Sequence, residues 1–258
     1  MTPKKLSYAP AVERALDVIE LLAASEKELA LSEIVRKSDI PRQSLIRILN
    51  TLCNRGIVDR GEKRGFYGLG MKLLYLGNRL QDNIKLRSVA RPFMQELADK
   101  SRKNIELSTL DQDQLVLVEQ IEGTEGIRLY THIGSAYPYF HAVAVGKIYL
   151  AHMDPEKRQK VLGKIGLPAV TEQTITDMNE LERELRKVRK DGYAFEDQEL
   201  RKGVRRVVAP IYDFRNDLAG GIGIAATLFS FELEDREHLG SMVVKTADKI
   251  SHRMGKGP

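Results

Sequence analysis

The sequence predicts an α+β chain of two parts: a winged helix-turn-helix, then, past a linker helix, a larger domain whose antiparallel sheet packs against helices. Three observations carry this. The first seventy residues hold three stretches of helical periodicity followed by two short strands about a glycine-bounded turn. Residues 71–85 are helical again and rich in leucine. The remainder mixes strand pairs with helices and lacks the βαβ regularity of a parallel sheet. A chain of 258 residues accommodates two domains. They are placed at 1–70 and 86–258, joined by the linker helix at 71–85.

Ala15, Leu16, Ile19 and Leu22 follow helical spacing and set a first helix over about 11–24. Ser32 and Glu33 suit the start of a second helix, with Ile34 and Val35 inward. It should stop near Ser38 and Asp39, because Ile40 precedes Pro41 and is biased out of helical geometry. Pro41 suits the first turn of a third helix. There Leu45, Ile48, Leu49 and Leu52 form an apolar stripe, while Gln43, Arg47, Asn50 and Asn54 line the other side. Gly56 ends this helix. Strands at 57–60 and 66–69 then flank the turn Gly61-Glu62-Lys63-Arg64-Gly65, a hairpin wing with a basic tip.

Charge says what such a unit meets. The net charge of +5 is concentrated in 36–64, which holds eight basic residues and three acids. A basic stripe of this kind fits a phosphate backbone. Arg, Gln and Asn on the exposed face of the third helix are the side chains that read base edges in the major groove. The contacts expected with double-stranded operator DNA are Ser32, Arg42, Gln43, Ser44, Arg47 and Asn50, with Lys63 and Arg64 from the wing.

These residues resemble the IclR family of regulators. The family opens on a stretch like SVERALDILELL, and residues 11–22 read AVERALDVIELL. Its turn and third helix read LSEIAxxxGLPxSTVxRLLxTLxxxGYV against LSEIVRKSDIPRQSLIRILNTLCNRGIV at 31–58. The family wing closes on YxLG, matched by Tyr67-Gly68-Leu69-Gly70. Gln43 stands where Ser is usual and Ile46 where His is frequent, which leaves the operator sequence open.

In the second domain, strands are expected at 105–110, 115–121, 127–133, 193–195, 204–211 and 222–229. Helices are expected at 86–101, kinked or restarted at Pro92, and at 146–152, 155–162, 178–190 and 236–254. The segment Gly221-Ile222-Gly223-Ile224-Ala225-Ala226 fits G-x-G-x-x-A superficially, which would suit a metabolite-processing enzyme with a dinucleotide. That fingerprint needs a helix opening on it, whereas this segment reads as a strand. No enzyme activity, cofactor or metal is therefore expected. Its glycines leave one strand face bare, with room for a ligand or for close packing.

The resemblance continues here. The family segment PLHATALGKxLLA aligns with residues 139–151, and GYAxDxEExxxGVRCIAAPV with 192–211. It implies a GAF-like sensor domain binding a small organic-acid-like effector. The implied cup residues are Phe140, His141, Ala144, Val145, Glu196, Val204, Gly223 and Ala225. Gly223 and Ala225 occupy places where the family often has effector-binding serines, and Glu196 a place usually held by Asp. The loss of serines suggests an effector with a larger apolar or hydroxylated body than a short oxoacid. The family also implies a repressor of a catabolic operon, acting as a homodimer or homotetramer. No apolar run reaches the length of a membrane span, a single cysteine, Cys53, excludes an internal disulfide framework, and a cytoplasmic address is expected.

Overall fold

The computed structural model describes residues 9–83, 85–124, 129 and 131–256. The chain divides into two compact units, Met1–Asn83 and Ile84–Pro258.

The first unit contains α1 (Pro10–Ala23), β1 (Leu29–Ala30), α2 (Leu31–Lys37), α3 (Arg42–Asn54), β2 (Val58–Arg60), β3 (Phe66–Leu69) and α4 (Lys72–Asn83). The apolar stripes of α1, α2 and α3 meet in one core of Val18, Leu22, Ile34, Leu45, Leu49 and Leu52, closed by Leu29 and Val58. Burying each large apolar side chain contributes about 1.5–3 kcal/mol. The half-buried Cys53 packs against this core, as a structural cysteine would. Pro41 is the residue before α3 rather than its first turn. Strand β1 is an addition to the expected hairpin: Leu29 and Ala30 pair with Tyr67 and Phe66, so the wing is three-stranded in the order β1-β3-β2.

The second unit contains α5 (Lys85–Ser101), β4 (Asn104–Asp111), β5 (Gln114–Ile121), β6 (Ala136–Tyr137), α6 (Ala144–His152), α7 (Pro155–Ile165), α8 (Met178–Asp191), β7 (Ala194–Asp197), β8 (Val204–Tyr212), β9 (Leu218–Thr227) and α9 (Arg236–Arg253). Its sheet is antiparallel throughout, in the order β6-β5-β4-β9-β8-β7. One face packs on α5 and α9 through Ile105, Leu107, Val207, Ile222 and Ile224 against Met94, Leu97, Val243 and Ile250. The other packs on α6 and α8 through Leu115, Leu117, Ala194 and Val208 against Val145, Ile148, Leu181 and Leu185.

Three expectations change. Helix α5 runs through Pro92 unbroken. Pro92 stands on its exposed side, where the unbonded Ser88 carbonyl can meet water. The strand expected at 127–133 falls partly outside the described residues, and residues 129 and 131–133 carry none. The strand expected at 222–229 begins earlier, at Leu218, and ends at Thr227. The whole G-x-G-x-x-A segment lies inside β9, with no helix opening on it.

Candidate functional site

The start of α2 is tied to the wing. The Ala30 N–H donates to the Glu33 carboxylate at 2.9 Å, and the Leu31 N–H donates to the Gly65 carbonyl at 2.9 Å. These bonds bring Ser32, Arg42 and Arg64 around one open depression of about 440 Å³. No side chain caps α3 among the described residues, so its first N–H groups are available to an anion beside those two cations. Ser44 and Arg47 border a second hollow of about 430 Å³ with Arg14 of α1 and Thr51. Gln43 and Lys63 are exposed. Asn50 is exposed too, but its Oδ1 accepts from Arg60 Nη2 at 3.0 Å, so this amide braces the wing. Arg14 and Arg60 went unread because neither belongs to the third helix or the wing turn.

The second unit brings its expected residues together on the α6/α8 face of the sheet. Phe140, His141, Ala144, Val145, Glu196, Val204 and Ala225 are all buried. Strand register places Glu196 opposite Arg206, Arg206 opposite Ala225, and Gly223 between Val208 and Glu106. Of the two readings of the bare glycine face, room for a ligand or close packing, the contacts at Gly223 and Gly221 favour close packing. A Cβ on Gly223 would lie 2.6 Å from the Val207 carbonyl and from Val208 Cγ2. One on Gly221 would lie 2.9 Å from Val208 Cγ1 and 3.1 Å from Val145 Cγ2.

The missing side chains instead let Arg206 reach across β9. Its Nε donates to Glu106 Oε2 at 3.1 Å, and its Nη1 to Glu196 Oε1 at 3.1 Å. All three side chains are buried. Glu196 also accepts from the N–H groups of Ala144, at the start of α6, and of Leu200, both at 3.3 Å. Beside it Lys147, 1% exposed, donates to Glu199 Oε1 at 2.5 Å and to the Phe195 carbonyl at 3.1 Å. Burial pushes the Glu196 carboxyl up, against the pull of Arg206 and Lys147. It pushes Glu199 up to about 7, again opposed by Lys147. For Arg206 burial acts downward, but Glu106 and Glu196 outweigh it and hold the guanidinium charged.

Arg206, Glu106, Lys147 and Glu199 were missed from sequence. The available signal was period two: in Val204-Arg205-Arg206-Val207-Val208, Arg206 shares the inward face with Val204 and Val208. It stands where the family segment carries Cys. A basic residue there, with carboxylates on β7 and, across β9, on β4, is a buried charge network rather than an apolar wall. Losing one member of such a network costs about 3–5 kcal/mol, because the others are left unpaired.

A winged helix-turn-helix with basic residues gathered at the open start of its third helix is the architecture of a DNA-binding regulator. Residues 11–62 match the family described as the IclR helix-turn-helix domain, and residues 79–252 the bacterial transcriptional regulator IclR C-terminal domain. The chain belongs to the IclR family of transcriptional regulators and is not an enzyme. It is 27% identical over 244 residues to the transcriptional repressor IclR of Escherichia coli, covering 94% of this chain and 89% of that one. It is 31% identical over 248 residues to the glycerol operon regulatory protein of Streptomyces coelicolor, covering 95% and 96%. The crystal structure of an IclR homologue from Microbacterium hydrocarbonoxydans, complexed with 4-hydroxybenzoate, superposes with a TM-score of 0.81. Its sequence is 24% identical, over 95% of this chain and 98% of that one. No helix among the described residues is long and apolar enough to cross a membrane.

Proposed function

We propose that this regulator is a cytoplasmic repressor of a catabolic operon, binding double-stranded operator DNA as a homodimer or homotetramer and releasing it when a small organic effector enters the second domain. Residues 1–70 read DNA, 71–85 link, and 86–258 sense. The observation that carries the DNA reading is the convergence of Ser32, Arg42 and Arg64 at the uncapped start of α3, with Gln43 and Arg47 exposed along the same helix. The cup reading is supported by the gathering of Phe140, His141, Ala144, Val145, Glu196 and Val204 on one sheet face, and by the ligand-bound homologue. Gly223 and Ala225 border the cup as backbone.

The test is a footprint on DNA upstream of the chain's own gene, followed by titration of the protected duplex. Arg47→Ala should weaken specific binding by about 1–3 kcal/mol, or roughly 5- to 150-fold. Unchanged affinity in a folded Arg47→Ala protein would remove the third helix from the reading.

A further inference from the structure

The buried cluster on the α6/α8 face leaves several acceptors unpaired. Glu106, Glu196 and Glu199 are its carboxylates, and Arg206 and Lys147 its cations. Arg206 divides its bonds between Glu106 and Glu196, and Lys147 serves Glu199 while lying 3.7 Å from Glu184. The remainder is left over in identifiable atoms. Glu106 Oε1, Glu199 Oε2 and the Tyr137 hydroxyl are buried without a hydrogen-bond partner. Tyr137 sits close enough to feel the same charges: burial and then Glu106 push its hydroxyl up, against Arg206. Tyr137 and Phe140 also line an outer cavity of about 480 Å³ between the β4–β5 turn and α7. Tyr137 therefore borders this cavity while it feels the charges of the cluster. A buried polar group left unpaired keeps its full desolvation penalty, so these atoms favour a molecule that completes them.

We infer that the effector of this site is a donor-rich small molecule without a carboxylate, a polyol or an amine, which hydrogen-bonds Glu106 Oε1 and the Tyr137 hydroxyl. This rests on the proposed effector control and specifies its chemistry. A carboxylate ligand would bring another acceptor to a cluster whose carboxylates already outnumber its cations, three to two. Hydroxyl or ammonium hydrogens meet the unused acceptors and leave the Arg206 bridges intact. The three lysines of α7 that line the outer cavity, Lys157, Lys160 and Lys164, are exposed. They can draw an anion to the mouth, but they do not supply donors to the buried carboxylates.

The full-length protein would be screened by thermal shift and by release of its footprinted DNA. Three sets are compared at millimolar concentration: polyols (glycerol, erythritol, arabitol), amines (ethanolamine, putrescine) and carboxylates (pyruvate, 4-hydroxybenzoate). At least one polyol or amine should raise the melting temperature and release DNA, with the carboxylates inactive. Tyr137→Phe leaves every ion pair in place and removes an unpaired buried hydroxyl, so the free protein should melt no lower than the parent. The concentration needed for half-release should rise about tenfold. Glu106→Gln, which keeps the side chain's length, should favour polyols over amines by removing the charge an ammonium would meet. Carboxylates that stabilise the chain and release DNA while polyols and amines do nothing would overturn the ligand class, yet keep effector control. An active polyol or amine whose midpoint is indifferent to both substitutions would overturn the site. Silence from all three sets would count against the donor class as well. DNA binding that no small molecule relieves, cell extract included, would instead defeat effector control itself.

Discussion

The Arg206–Glu106 bond exists because β9 puts Ala225 and Gly223 in its path, where larger side chains would stand between β8 and β4. With the Val207 carbonyl and Val208 Cγ2 each 2.6 Å from a new Cβ, Gly223→Ala should destabilise the second domain by about 1–3 kcal/mol through overpacking. Chemical denaturation would show this, and a melt equal to that of the parent would mean that β8 yields freely. His141 offers a second check. Its ring is fully buried, with Nε2 3.0 Å from the Pro168 carbonyl and Nδ1 without a partner. Burial lowers its pKa from the ordinary 6.5. As pH falls below 6.5 the unfolded chain takes up this proton before the folded one, so stability must drop. His141→Gln should lose that acid-side slope, and an identical slope in both proteins would place the sensitivity elsewhere. His141 was legible from its segment, and Glu196 from its place beside Gly192-Tyr193-Ala194. Arg206 was not, because burial of a charge depends on partners 10 and 100 residues away in sequence.

At the scale of elements, legibility followed length and periodicity. Helices α3, α8 and α9 carry apolar stripes strong enough to place them within a residue or two, and Asp177 and Gly192 mark the ends of α8 with a side-chain cap and a left-handed turn. Strands β1 and β6, two residues each, have no period to detect and exist only through their partners β3 and β5. Helix α6 begins two residues earlier than its pattern suggested, at Ala144, because Glu196 accepts its first N–H. Gly146 then lets α6 press on the preceding turn: a Cβ there would stand 2.1 Å from the Phe140 carbonyl. Gly146→Ala should therefore lower the melting temperature of the second domain while leaving α1–α3 folded, seen as a split unfolding transition. A single unshifted transition would contradict that close approach. The wing makes a separate prediction. Lys63 and Arg64 are exposed at its tip, and neutralising both as Gln should reduce the slope of log affinity against log salt by about 2, uniformly across sequences. A change confined to one sequence would make them base readers.

For the molecule as a whole, the first unit keeps apolar surface that its own core does not use. Met71, just before α4, and Leu74 and Tyr75 within it lie at helical spacing and are 72%, 56% and 60% exposed. Val12 and Leu16 form a similar strip on α1, at 58% and 52%. Contiguous exposed apolar residues of this kind mark an interaction surface, and a regulator that reads paired half-sites needs its two DNA-binding units held together. Linking them converts the second contact into an intramolecular event, so one dimer holds an operator more tightly than two monomers at the same concentration. The side chain of Leu80, the last of the linker leucines, lies outside the described residues. The test is best placed on Leu74 and Tyr75, in the middle of the strip. Leu74→Glu with Tyr75→Glu puts two carboxylates where a partner's apolar face would lie. It should raise the dimer dissociation constant at least about tenfold, equivalent to some 1.4 kcal/mol, read by sedimentation velocity. Operator affinity should fall with it, while affinity for an isolated half-site, which one unit meets alone, stays the same. A variant that sediments as the parent does would remove α4 from the subunit interface. Loss of half-site binding would show instead that these substitutions damage the DNA-reading unit itself.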